Sequence, residues 1–117
     1  MEAVRKFEDY IKDDVTVIQL NMNQATLTEA GRFRTFVIDF IEKGTSKIIV
    51  DLRKCSIIDS TFLGALVFSL KKITANNGNL RLVFNNNSQN NIFMLTGINK
   101  VFKIYPDLET AIQSFEN

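Results

Sequence analysis

From Val15 onward, short β-branched runs alternate with stretches whose apolar residues recur at helical spacing, and this alternation restricts the possible folds more than any other feature. Strands separated by helices run in the same direction and are joined by right-handed crossovers, so the pattern predicts an α/β fold on a mostly parallel central sheet. Two extended stretches come first, Lys6 to Lys12 and Val15 to Leu20. The Asp13-Asp14 pair between them favours a tight turn, which makes the first stretch an antiparallel N-terminal edge strand.

The polar segment Asn21 to Gln24 leads to a helix capped by Thr28, with Phe33, Phe36, Val37, Phe40 and Ile41 forming its apolar stripe and Gly44 closing it. Lys47 to Leu52 is a β-branched run suited to a strand buried on both faces. A polar elbow, Arg53 to Ser56, precedes Ile57-Ile58-Asp59-Ser60, and a second helix carries Leu63, Leu66, Val67, Leu70 and Ile73 on one face. Asn76-Asn77-Gly78-Asn79 stops it before the strand Leu80 to Phe84. The tract Asn85 to Asn91 reads as a polar loop and helix start rather than a low-complexity element. A short helix with Ile92, Phe93 and Leu95 then ends at Gly97, Val101 to Tyr105 forms a last strand, and Leu108, Ala111, Ile112 and Phe115 mark a C-terminal helix begun by Pro106 and Asp107. The count is about four helices, and the whole chain, residues 1–117, reads as a single domain.

Fourteen Lys and Arg against thirteen Asp and Glu leave a net charge of +1 with the signs interleaved, which argues against a nucleic-acid partner, since phosphate neutralisation needs clustered cations. There is no histidine, so His-based nucleophile systems are excluded and nearly all zinc and non-haem iron sites with them. The five glycines, at 31, 44, 64, 78 and 97, match neither a dinucleotide-binding loop nor a phosphate-binding loop. No metal, cofactor or enzymatic activity is expected. Cys55, the single cysteine, reads as a small buried hydrophobe in a reducing compartment. The N-terminal stretch lacks an apolar signal core, and the apolar run Phe62 to Leu70 is too short to span a bilayer, so the expected location is cytoplasmic, without membrane insertion.

Two carboxylates remain as candidates for function. Asp51 lies late in a central strand, where receiver domains keep a phosphorylatable aspartate, but the acidic pair that would hold magnesium is missing after the first strands. Asp51 therefore reads as a strand-end residue that hydrogen-bonds its own loop. Asp59 and Ser60 lie where a strand passes into the second helix, and free amides there favour an acceptor oxygen or an added phosphate. Either residue also suits a plain helix cap.

The segment Asp51-Leu52, six residues, then Asp59-Ser60-Thr61-Phe62-Leu63-Gly64-Ala65-Leu66 resembles the signature of the STAS domain family of anti-sigma-factor antagonists. The likeness continues through Gly78 to Leu82, Phe93 to Ile98, Val101 to Tyr105 and Leu108 to Ile112. It implies a single STAS-like domain that binds an anti-sigma factor with serine kinase activity while unphosphorylated, and so releases a sigma factor. It further implies Ser60 as the phosphoacceptor, Thr61 as a second candidate, and a partner surface made by Asn23, Asp59, Ser60, Thr61, Phe62, Leu63 and Gly64. ATP and magnesium would belong to the partner. The alternative is a STAS subunit of a larger signalling or lipid-transport complex with no phosphorylation cycle. Two positions depart from the family pattern: Phe62 stands where glycine is usual, either an exposed anchor or a core residue, and Ala25 stands where an acidic residue is usual, with Asn23 the nearest polar substitute.

Overall fold

The computed structural model describes residues 5–84 and 90–116. The loop expected over Asn85 to Gln89 and the first four residues of the N-terminal stretch lie outside them. Strands β1 (Phe7–Lys12) and β2 (Val15–Leu20) form the expected hairpin, with Phe7 opposite Leu20 and Lys12 opposite Val15. Asp13 and Asp14 both take positive φ, 52° and 69°, the backbone that lets a two-residue turn follow the twist of the strands.

After a two-residue strand β3 (Gln24–Ala25) and helix α1 (Leu27–Glu42), β4 (Lys47–Asp51) lies parallel to β2 in the middle of the sheet. A second two-residue strand, β5 (Ile57–Ile58), precedes α2 (Ser60–Ala75). Strand β6 (Asn79–Val83), α3 (Asn90–Thr96), β7 (Ile104–Tyr105) and α4 (Leu108–Gln113) complete the chain. The main sheet runs β1-β2-β4-β6-β7, with only the β1–β2 pair antiparallel.

Alternation along the buried strands sorts the core into two layers. Ile18, Leu20, Ile48, Val50, Leu80 and Leu82 pack under α1, α2 and α3. Val15, Val17, Ile49 and Val83 face Ala111 and Ile112 of α4 on the other side. Gly78 is required where α2 turns into β6, because a Cβ there would lie 2.6 Å from the Ser46 carbonyl oxygen. Gly44, at φ 100°, ends α1 as the sequence suggests.

Two expectations are corrected. α1 begins after Thr26, so Thr28, expected as its cap, lies inside the first turn. The last strand is shorter than Val101 to Tyr105: a 3-10 turn over Ile98–Lys100 takes the Val101 and Phe102 amides into helical bonds to the Ile98 carbonyl, leaving Ile104–Tyr105 for the sheet. Phe102 then buries its ring in the core, which an extended backbone was not needed to achieve.

Candidate functional site

The site is built from the loop that leaves β4. Asp51, 4% exposed, accepts from the backbone N–H of Arg53 at 3.0 Å and from its guanidinium at 2.9 Å (Nε) and 2.7 Å (Nη2). This is the loop-bonding role read from the sequence, and it bends the chain immediately after the strand. The Cys55 amide bonds the Leu52 carbonyl, and its side chain is fully buried. Burial, with Asp51 adding to it, pushes the thiol up to about 12, so it stays protonated and packs as a hydrophobe.

Past Cys55 the chain crosses to the loop after β2. The Ser56 and Ile57 amides both donate to the Asn23 carbonyl, at 2.8 and 3.1 Å, the Ser56 hydroxyl donates to Asn23 Oδ1, and the Asp59 amide donates to the Ala25 carbonyl at 3.1 Å. Strands β3 and β5 pair in parallel between these contacts as a two-stranded sheet of their own. Asn23, Asp59 and Ser60 are thereby held at one end of the molecule. Asn23 faces solvent, but its amide oxygen is occupied by Ser56 and so tethers the loop. Ala25 is fully buried, so its small apolar side chain fits the place where a carboxylate would meet the core.

Asp59 serves two helices. Its Oδ1 accepts from the Phe62 amide at 2.9 Å, capping α2, and its Oδ2 accepts from the Leu27 amide at 2.9 Å, at the first residue of α1. Thr26, the N-terminal boundary residue of α1, makes no side-chain cap of its own. The positive ends of the two helix dipoles therefore converge on one carboxylate. Nothing in the local sequence of α1 announces this, because the acceptor comes from 32 positions away.

Ser60 is the first residue of α2 and Thr61 the second, and both are exposed. No acidic residue lies in the first turn, and among the described residues neither the Ser60 nor the Thr61 amide has an acceptor. Chemically, this is a hydroxyl open to solvent beside unpaired donors, an arrangement that accommodates an added dianion.

The partner surface implied by the family likeness divides into two parts. Asn23, Ser60, Thr61 and Gly64 are exposed, and Asp59 is partly so. Phe62 and Leu63 lie in the core, 0% and 2% exposed, with the Phe62 ring 4.9 Å from that of Phe33 in α1, so of the two readings open for Phe62 the core one holds and neither side chain is offered to solvent. One helical turn explains this, since positions three and four along α2 rotate from the solvent side onto the core. The sequence reading missed Leu27, Gly31, Arg34 and Phe68, which line a groove between α1 and α2 that also reaches Thr61. A usable signal was the glycine inside each helical pattern, at 31 and 64.

Among the described residues no helix is long and apolar enough to cross a membrane, and no three His, Cys, Asp or Glu side chains gather where a metal could bind. The sequence profile of the STAS domain matches residues 6–111. A Thermotoga maritima protein assigned as an anti-sigma factor antagonist is 33% identical over 104 residues, covering 88% of this chain and 91% of that one. A crystal structure of a protein from the same organism, likewise assigned as an anti-sigma factor antagonist, superposes with a TM-score of 0.84 at 32% identity, covering 95% of each chain. The phosphorylated form of the Bacillus cell fate determinant SpoIIAA superposes with a TM-score of 0.70 at 19% identity, covering 92% of this chain and 97% of that one, a likeness of fold.

Proposed function

The chain belongs to the STAS domain family, and on that premise we propose that it is a cytoplasmic anti-sigma-factor antagonist whose Ser60 loop is a phospho-switchable docking element. In the unphosphorylated state the loop binds a kinase-type anti-sigma factor and so releases a sigma factor. The partner supplies ATP and magnesium; this chain is ligand and substrate, and performs no catalysis.

One observation carries the reading: an exposed serine begins a 16-residue helix, its own amide and that of Thr61 left unpaired while the Asp59 carboxylate is held by the Phe62 and Leu27 amides. A phosphoserine there adds about −1.5 to −2 charge where the helix dipole tolerates it. The fold need not open, because what changes is the charge and bulk of the surface offered to the partner. The name of the Thermotoga maritima relative agrees with this activity, and a protein of the same fold, SpoIIAA, is described in a phosphorylated form. Thr61 is exposed beside Ser60 and is the second acceptor.

A second reading, a STAS subunit of a permanent complex without a phosphorylation cycle, draws support from Asn23. Its side chain is engaged by Ser56, and buried Ala25 adds no charge beside the serine. Phosphopeptide mapping of the protein from its own cells, with pull-downs of Ser60→Ala and Ser60→Asp, separates the two. The switch predicts phosphate on Ser60, partner capture by Ser60→Ala and its loss in Ser60→Asp. An unmodified Ser60, with identical capture by both variants and a high-mass complex insensitive to ATP, establishes the scaffold instead.

A further inference from the structure

Beside Ser60, residues of α1 and α2, Thr61 among them, line a groove of about 660 Å³. Its floor is Ala30 and Ala65, both buried, and its walls carry Gly31 and Gly64, each the fifth residue of its helix. Glycine is the poorest helix former after proline, so two of them in helix interiors call for a steric reason. None exists among the described residues: a Cβ built on either glycine meets nothing within 4 Å. The space they keep open is outside the molecule's own packing.

The rim of the groove has its own chemistry. Leu27 and Phe68 line it with large apolar side chains that are 69% and 43% exposed. The Arg34 guanidinium lies 5.1 Å from the centre of the Phe68 ring, and among the described residues no carboxylate pairs with it. Arg32 is exposed in the same helix. The groove therefore combines a floor that admits a close backbone, apolar side walls and an unpaired cation.

We propose that this groove seats an amphipathic helix of the partner, apolar along the face that enters between Leu27 and Phe68 and carrying a carboxylate that pairs with Arg34. The small floor selects a helix because backbone-to-backbone approach is what missing side chains allow, and an apolar stripe is what such a groove takes up. The charge selects an acidic helix over a basic one. The inference rests on the reading of the Ser60 end as a partner surface, and Thr61, shared by the groove and the loop, joins the two. Phosphorylation at Ser60 would then act at one end of a surface whose specificity is set along its length.

The test titrates the full ¹⁵N-labelled chain with a synthetic amphipathic helical peptide bearing leucines at i, i+3, i+4 and i+7 flanked by glutamates, and with the same peptide bearing lysines. The glutamate peptide should shift the Gly31, Arg34, Thr61, Gly64 and Phe68 amides and bind about tenfold or more tightly than the lysine peptide. Arg34→Glu should invert that preference. Gly64→Leu should abolish binding, and Gly64→Ala, whose thermal midpoint should not fall, checks that the loss is steric rather than unfolding. Peptide binding is read on the unphosphorylated chain and the phospho-switch on Ser60 phosphate and partner capture, so failure of the one and failure of the other are read separately. Absent binding, shifts elsewhere on the surface, equal affinity for both peptides, or a dimer of the chain alone that Gly64→Leu dissociates would each overturn the proposal.

Discussion

The two helices that frame the candidate site begin side by side and are the same length, yet their first turns are built differently. α2 carries its own cap, Asp59, one residue before the helix. α1 begins after Thr26, a residue type suited to capping whose side chain caps nothing, and takes its acceptor from the carboxylate of α2 instead. A cap of the first kind is a local property of a tetrapeptide. One of the second kind exists only after β3 and β5 have paired and brought the two segments together. The exposed serine thus stands on a junction where two helices share one anchor, and its position depends on both.

The contrast can be tested by substitutions that strike both helix starts, one of them, or neither. Phe62→Ala strikes both: it empties the contact with Phe33 that joins α1 to α2 beneath the shared carboxylate, and the loss of a buried ring should cost about 3–5 kcal/mol in denaturant unfolding. A cost no larger than that of a surface substitution would show that the helices are not locked together there. Asp59→Ala removes two acceptors at once and should cost about 2 kcal/mol, twice the value of a typical single cap, with Asp59→Asn recovering part of it. If Asp59→Ala costs only about 1 kcal/mol, one of the two hydrogen bonds contributes nothing and the sharing is formal. Thr26→Ala is the smallest, expected within about 0.5 kcal/mol of the parent because no side-chain bond is lost. A full cap-sized loss there would erase the difference between the two helix starts.

Much of this was readable in advance. The strand and helix alternation, the Asp13-Asp14 turn, the Gly44 stop and the buried β4 run each declare themselves through local periodicity or backbone preference, and each stands in the structure. Asp51 was legible as a loop-bonding residue because its partner lies two positions away. Asp59 was half legible: its cap on α2 follows from spacing, its bond to Leu27 does not. β3 and β5 escaped notice because two residues are too short a run to show alternation. The overlong last strand has the same origin, since Val101 to Tyr105 is apolar enough for a strand while Gly97 and the turn after it commit the first amides to helical bonds.

Propensity and periodicity therefore settled the class of fold and the order of its longer elements, because they act over a few residues, whereas Ser60 became a candidate phosphoacceptor only through the family resemblance. Whether Phe62 met solvent or core, what Asn23 held, which carboxylate capped α1 and where a groove remained open all depended on segments distant in sequence. Those outcomes depend on packing in three dimensions. A side chain's neighbours, unlike its backbone preference, do not exist until the chain has closed on itself.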